Sequence, residues 1–236
     1  MLIRPPGFRG AAFTTAAAGD MLSGDRAVVS ATLGIRSGWA SIRQVHGADV
    51  LTATEPGRTG PGDALVTGAR GLPLAVVTAD CVGVVLETES AVGVAHAGWR
   101  GVVAGVVAAA ARRLEGLGRW PGPVLRAATG PLIGPCCFEV GPEVAVLFRD
   151  RHVKSTGGMT TVDLATAVRE QVPQAEWWSV EACTRCEEGW FSFRADRTVH
   201  RLATLGWIPW AWPSACARWS GASRRLPAGR AGTATT

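Results

Sequence analysis

The chain contains 236 residues, of which 47% are hydrophobic and 18% charged, so it can bury the core of an enzyme-sized domain. Its net charge of +5 does not indicate a nucleic-acid partner, because the basic residues are scattered and their densest group, Arg224, Arg225 and Arg230, lies in a Gly/Ala/Pro-rich end. The longest apolar runs are too short or too polar to cross a bilayer of about 30 Å and no secretion signal is recognisable, so we expect a cytoplasmic protein without a membrane partner.

The organisation of the chain predicts one domain over residues 1–220 and a disordered tail over residues 221–236. No repeat with a fixed period is present, and the Gly/Pro-rich stretches are short enough to be turns. The composition of the tail cannot bury enough apolar surface to offset the entropy lost on ordering. Six cysteines without the spacing of a small disulfide scaffold predict free thiols in a reducing compartment.

The first informative elements are apolar strands that end in chemically reactive residues. In SIRQVHGADVLTA, residues 41–53, the β-leaning pattern predicts that His46 lies at a strand end or bulge. In LPLAVVTADCVGVVLET, the pattern predicts two buried strands joined near residues 78–81, which places Asp80 and Cys81 where the core opens. A third apolar strand over residues 91–95 leads into His96.

The rest of the chain adds helices to these strands. VVAGVVAAAARRLEGL predicts a largely buried helix that ends at Gly116 and Gly118. Three further segments are predicted: a strand over 124–128, a helix over 162–171 with Asp163 in its first turn, and several strands between 177 and 212. Strands and helices without a regular βαβ repeat predict an α+β fold with layered mixed sheets.

The strand-end residues offer a ligand set for a metal. A buried aspartate beside a cysteine has no packing rationale, because an unpaired buried charge costs several kcal/mol. His46, Cys81 and His96 form a His, Cys, His set that suits Zn²⁺ and leaves a fourth position open, as in catalytic zinc sites. Their wide spacing contains no local metal motif, so the residues alone leave open two ordinary core histidines and an inert buried thiol.

Five segments resemble those of a known family. RQVHGADV, VTADCVGVVL and VAHAGWRGVVAGV closely resemble, in order and spacing, the signature segments of the YfiH-like family, also called polyphenol oxidases, laccases or purine nucleoside phosphorylases. ATGPLIGPCCFEVGPEV and CTRCEEGWFSFRADRTVHRLATLGWI resemble two further blocks, so that the resemblance covers residues 41–210. It implies a layered α/β/β/α fold like that of a toxin deamidase, zinc bound by His46, Cys81 and His96, and catalytic roles for Asp80 and Cys81.

The resemblance also implies small-molecule partners, a purine nucleoside and phosphate. The family is credited with phosphorolysis of adenosine, inosine, guanosine and methylthioadenosine and with deamination of adenosine, in which Asp80 would carry protons.

A phosphate requires arginine or backbone donors. The family's N-terminal Ser/Thr-Thr-Arg-x-Gly-Gly segment is here FTTAAAGD, with Ala16 in the arginine position, and the run up to Gly34 is shortened by about fifteen residues against the family pattern. We select Arg100 as the substrate-binding replacement, with Arg43 and Arg194 as further candidates.

Other interpretations remain open at this point. A copper-dependent phenol oxidase is weaker, because multi-copper sites need more histidines than the four present. A cysteine hydrolase or amidase that edits cell-wall precursors would use Cys81 as nucleophile and His96 as base. A member that has lost activity with its N-terminal loop would bind metal without turnover. The lone pair Cys183-x-x-Cys186 is weak evidence for a redox or metal site. Cys136 and Cys137, in a Gly/Pro-rich loop, either approach the zinc site or are simple loop residues, and we favour the second.

Overall fold

A computed structural model describes residues 1–210 of the chain. The predicted domain end at residue 220, the predicted tail and Cys216 therefore lie outside the described residues. The strands, in chain order, are β1 (Leu2–Ile3), β2 (Ala11–Thr14), β3 (Ala40–Arg43), β4 (Val50–Thr52), β5 (Gly57–Pro61), β6 (Ala64–Thr67), β7 (Leu74–Thr78), β8 (Val82–Glu87), β9 (Val92–Ala97), β10 (Arg126–Thr129), β11 (Val153–Thr156), β12 (Met159–Val162), β13 (Glu176–Ser179) and β14 (Leu202–Gly206). The α-helices are α1 (Arg26–Leu33), α2 (Trp99–Val103), α3 (Val106–Glu115), α4 (Pro142–Ala145), α5 (Leu164–Arg169) and α6 (Phe193–Asp196).

The strands form two six-stranded mixed sheets and one small hairpin. The first sheet has the order β1-β2-β14-β7-β3-β5 and the second the order β13-β10-β8-β9-β6-β4, while β11 pairs with β12. Both large sheets combine antiparallel and parallel pairs, such as the antiparallel pair β8 with β9 and the parallel pair β4 with β6. The prediction of layered mixed sheets is confirmed.

The two large sheets pack face to face between helices. Phe13 and Val76 of the first sheet share one buried core with Val85 and Val94 of the second. Helix α1 packs on the outer face of the first sheet, and α2, α3 and α5 pack on the outer face of the second. This arrangement is the α/β/β/α layering that the resemblance implied.

The link between β7 and β8 carries the chain from the first sheet to the second. The two buried strands predicted on either side of residues 78–81 are present, but they belong to different sheets rather than to one hairpin. The approach of the layers is close at Gly83, where a Cβ atom would lie 2.0 Å from Oγ1 of Thr204 in the other sheet. Asp80 and Cys81 thus lie at the point where the chain passes between the layers.

Two predicted elements differ from the structure. The helix predicted after His96 is divided into α2 and α3, because Gly105 adopts a left-handed conformation with φ of 80° that interrupts it. Among the described residues between 177 and 210, only β13 and β14 are strands, because loops and the short α6 occupy the segment between them. Within residues 1–210, no helix has the length and apolar character needed to cross a bilayer.

Candidate metal centre and its cavity

The structure brings His46, Cys81 and His96 together from three separate segments. His46 follows β3, Cys81 lies in the crossover before β8, and His96 lies within β9. One potential ligand atom from each lies within 4.8 Å of the others, and the two imidazole rings meet edge to face with centroids 4.8 Å apart. Gly98 permits this approach, because a Cβ atom there would lie 3.1 Å from Sγ of Cys81 and 3.0 Å from Cδ2 of His46.

The backbone around these residues is unusual for side chains other than glycine. His46 has φ of 61° and Asp80 has φ of 88°. Non-glycine residues seldom adopt positive φ, and such conformations cluster at functional sites where the surrounding structure enforces them. The segments that follow β3 and β7 therefore hold His46 and Asp80 in backbone conformations that are typical of functional sites.

Asp63, which the sequence analysis did not select, holds two of the three residues in place. Its fully buried carboxylate accepts hydrogen bonds from the backbone N–H groups of His46 at 2.9 Å and Gly47 at 2.7 Å. It also accepts one from Nδ1 of His96 at 2.8 Å, which leaves Nε2 of that ring for Cys81. Its position in the sequence could have identified Asp63, because an acidic residue directly before the buried strand β6 lacks a packing rationale, just as Asp80 does.

Cys81, His96 and Asp63 also shift one another's protonation. Burial raises the pKa of the Cys81 thiol, but hydrogen bonds and charge from His46 and His96 outweigh burial and bring that pKa down to about 6. Burial lowers the pKa of His96, but its bonds to Asp63 and Cys81 prevail and raise that pKa to about 9. Burial likewise opposes ionisation of Asp63, yet its hydrogen bond with His96 and the loop N–H groups lower its pKa. The protein groups alone therefore favour a thiolate beside an imidazolium near neutral pH.

Asp80 is buried next to Cys81, but its carboxylate interacts with the C-terminal part of the chain. One oxygen accepts a hydrogen bond from Oγ1 of Thr184 and the other from the backbone N–H of Arg194, each at 2.6 Å. Its backbone carbonyl accepts from the N–H of Ile133 at 2.9 Å. The structure therefore places the backbone of Asp80 at the site and its carboxylate against Thr184 and Arg194.

A cavity of about 450 Å³ opens above the three converging residues, a volume typical of small-molecule sites. Its wall carries three arginines, Arg43, Arg58 and Arg201. Apolar wall groups come from Leu22, Ile42, Val77 and Phe193. A positively charged wall beside a potential metal centre suits an anionic group next to a polar reacting atom.

The arginine selected from the sequence lies elsewhere. Arg100 is exposed on α2, where its guanidinium stacks 4.3 Å above the ring of Trp99, and it does not line this cavity. Arg194 directs its guanidinium to the carbonyl of Glu139. Arg43, one of the further candidates, lines the cavity together with Arg58 of β5 and Arg201, which lies within the last of the resembling segments; the sequence did not distinguish these two from the other arginines.

Comparison with known proteins identifies the family. A family model described as multi-copper polyphenol oxidoreductase laccase matches residues 14–209. A protein of Streptomyces coelicolor named purine nucleoside phosphorylase is 37% identical over 202 residues, covering 79% of this chain and 82% of that protein. Escherichia coli YfiH, named likewise, is 34% identical over 184 residues, covering 71% of this chain and 72% of that protein. The crystal structure of YlmD from Geobacillus stearothermophilus matches with a TM-score of 0.76 and 28% identity, covering 88% of this chain and 96% of that one. The chain therefore belongs to the YfiH-like family of multi-copper polyphenol oxidoreductase laccase proteins, as its motifs indicated.

Proposed function

We propose that this protein is a zinc-dependent purine nucleoside enzyme that cleaves the nucleoside with phosphate. The observation that carries the proposal is the convergence of His46, Cys81 and His96 within 4.8 Å at a cavity that also presents three arginines. The curated relatives named purine nucleoside phosphorylases support the same reaction class. Adenosine, inosine, guanosine and methylthioadenosine are the proposed substrates.

The donor set fits zinc. Two imidazole nitrogens and one thiolate are ligands that zinc accepts, and three protein ligands leave a fourth position open toward the cavity. Copper fits less well as a multi-copper centre, because the two remaining histidines of the chain, His152 and His200, lie beside Glu170 and Asp20 instead. When bound, zinc would supply a Lewis acid at the closed end of the cavity.

The arginine wall supplies the counter-charge that phosphate needs. Arg201 is held by hydrogen bonds from one guanidinium nitrogen to the carbonyls of Thr198 and His200, at 2.9 Å and 2.8 Å. A guanidinium fixed in this way loses little rotational freedom when it binds an oxyanion. Together with Arg43 and Arg58, it compensates for Ala16, which lies in a short 3₁₀ turn outside the cavity wall.

Deamination of adenosine is the second reaction that we attribute to this site. It needs a group that carries a proton to the leaving amine. Asp80 serves in that role only when its carboxylate leaves Thr184 or Arg194, because both oxygens accept hydrogen bonds there. In phosphorolysis, we propose that Asp80 instead positions the backbone of Cys81.

The experiment that tests this function measures metal and products together. Purified protein is analysed for zinc and copper and then incubated with adenosine, with and without phosphate, while adenine, inosine and ribose-1-phosphate are separated by chromatography. We expect zinc, phosphate-dependent release of adenine, and loss of that activity in Cys81→Ala. Arg43→Gln is expected to raise the KM for phosphate, and Arg112→Gln, an exposed arginine on the outer helix α3, is the matched control. Adenine release that ignores phosphate would contradict phosphorolysis.

A second candidate function is hydrolysis by a cysteine nucleophile acting on an amide of a cell-wall precursor. It is favoured by the chain of contacts from Cys81 to His96 to Asp63, since a thiolate, an imidazole and an orienting carboxylate form a nucleophilic triad. This reaction needs no metal. Trapping of a covalent adduct on Cys81 during amide turnover by chelator-treated protein would favour it over the zinc enzyme.

A further inference from the structure

Four cysteines form a second cluster, away from the cavity. Cys136 and Cys137 lie in the loop after β10, and Cys183 and Cys186 lie in the loop after β13. Their four Sγ atoms all lie within 4.8 Å of one another, and the sulfurs of Cys136 and Cys186 are 3.7 Å apart. The cluster brings together two pairs that are almost fifty residues apart in sequence.

We propose that these four cysteines bind one structural zinc ion that clamps the two loops together. Four thiolates are a common ligand set for structural zinc, and the spacing Cys183-x-x-Cys186 supplies one half of such a site. This site uses none of the residues of the proposed active site, and it is closed, with four protein ligands and no open position.

The distances suit a single tetrahedral ion. A tetrahedron with Zn–S bonds of about 2.3 Å has edges of about 3.8 Å between sulfurs. The 3.7 Å between Cys136 and Cys186 equals such an edge, and the 4.8 Å limit on the other pairs requires only a small contraction. The same distance is far longer than a disulfide bond, and the four sulfurs are too close together to surround a cluster of several irons.

The backbone around the cluster supplies hydrogen bonds to sulfur. The N–H of Gly134 donates to Sγ of Cys183 at 3.2 Å, and the N–H groups of Arg185 and Cys186 also point to that sulfur. Donors of this kind stabilise the negative charge of thiolates that surround a metal ion. Gly134 lies so close that a Cβ atom there would be 3.2 Å from Sγ of Cys136 and 3.5 Å from that of Cys183. The loop is therefore built to bring the sulfurs into one small volume.

The clamp lies next to the residues that hold Asp80. Thr184, which follows Cys183 directly, donates to the Asp80 carboxylate and also donates its backbone N–H to the carbonyl of Leu132 at 2.9 Å. Ile133 donates its N–H to the carbonyl of Asp80. Both clamped loops thus contact Asp80, so the zinc ion would fix the crossover that presents Cys81 without contacting substrate.

The test uses the full-length protein, purified under reducing conditions and analysed for metal. We expect Cys81→Ala, which lacks a ligand of the first site, to retain about one zinc per chain. X-ray absorption at the zinc edge of this variant should show four sulfur neighbours at about 2.3 Å and no nitrogen. A variant without zinc, or with zinc bound by nitrogen or oxygen, would overturn the proposal.

Substitutions in the cluster give an independent test. Cys136 and Cys186 are exposed, so Cys136→Ser and Cys186→Ser should not change the packing of the core. We expect each to lose one zinc relative to wild type, whereas Cys216→Ser, a thiol control outside the described residues, keeps it. Unchanged zinc content in both cluster variants, or a Cys136–Cys186 disulfide in the reduced wild-type protein by mass spectrometry, would contradict the proposal. These outcomes are independent of enzymatic activity, so they are distinguishable from failure of the proposed function.

Discussion

The two groups of potential metal ligands differ in number, chemistry and surroundings. The first joins two histidines and a cysteine from three segments beside a cavity with a positively charged wall. The second joins four cysteines from two loops. Three mixed ligands with an open position are typical of catalytic zinc, and four thiolates without one are typical of structural zinc. On the two proposals, one site performs chemistry and the other holds two loops together, so variants of the two sites should change different properties.

The sharpest way to separate the two sites is to remove one ligand of the first. Cys81→Ala should lower phosphorolysis by at least about 10³-fold, because a metal ion contributes several kcal/mol to transition-state stabilisation. Its four-sulfur zinc should remain bound, since the four-cysteine cluster is intact. Steady-state kinetics and zinc analysis test both statements. Full turnover in this variant would show that the first site is not the reaction centre.

The protonation of Cys81 is a second property by which the first site can be tested. In chelator-treated protein, the Cys81 pKa of about 6 predicts that the thiolate is present above pH 6 and is lost as the pH falls through 6. An ordinary cysteine has its midpoint near pH 9 instead. Alkylation by iodoacetamide, followed at the Cys81 peptide by mass spectrometry, should therefore have a midpoint near pH 6. Asp63→Asn should raise this midpoint, because His96 loses the carboxylate that keeps it protonated. A midpoint near 9 in the wild-type protein would refute the thiolate–imidazolium pair.

Asp63 allows the first site to be weakened without removing a ligand. Asp63→Asn places an amide where the carboxylate accepts bonds from His96 and from the N–H groups of His46 and Gly47. Loss of such an orienting partner weakens metal affinity by roughly 10–100-fold. Competition with a zinc chelator measures the change. Asp49→Asn, an exposed neighbour, serves as the control and should retain wild-type affinity.

The second site should reveal itself in stability rather than in turnover. A metal ion present at 100 times its Kd contributes about 2.7 kcal/mol to the free energy of unfolding. Its loss in Cys186→Ser should lower the melting temperature by about 5–10 °C for a domain of this size. Zinc added to the metal-free proteins should raise the melting temperature of the wild type by more than that of the variant, which retains only the first site. If the wild-type protein and Cys186→Ser melted at the same temperature in the presence of zinc, the four-cysteine cluster would not be a stabilising zinc site.

The sequence predicted the strands around the first site, but it did not point to every residue that builds the site. The apolar runs around Cys81 and His96 gave β7, β8 and β9, because a strand buried on both faces leaves a continuous apolar pattern. The crossover between two sheets could not be read from that pattern, since a hairpin and a crossover require the same apolar strands. Asp63 was missed because its partners are backbone groups of a loop that is remote in sequence. Arg100 lies near His96 in the chain, but the structure places it on the outer helix α2, away from the cavity wall, because the chain turns outward after β9.

The four-cysteine cluster shows the same limit. A lone Cys183-x-x-Cys186 pair carries weak information, because its second half, Cys136 and Cys137, lies across a sheet pairing that no local pattern encodes. The parallel pairing of β10 with β13 sends the two following loops in the same direction, so that they meet beyond the ends of the strands. Long-range strand register thus decides which cysteines can share an ion.

The smallest expected effect joins the two regions through Thr184. Thr184→Val keeps the shape of the side chain but removes the hydroxyl that donates to Asp80, and the loss of a hydrogen bond to a charged group costs about 1.5–3 kcal/mol. If Asp80 positions the crossover, kcat should fall a few-fold while both zinc ions remain bound and the KM for phosphate is unchanged, because neither the ligands nor the arginine wall has changed. Thr184→Ser retains the hydroxyl and should restore kcat. A variant with lower stability but unaltered kcat would show that the contact between Thr184 and Asp80 stabilises the fold only. The four-cysteine loops would then hold the chain together without influencing the chemistry at Cys81.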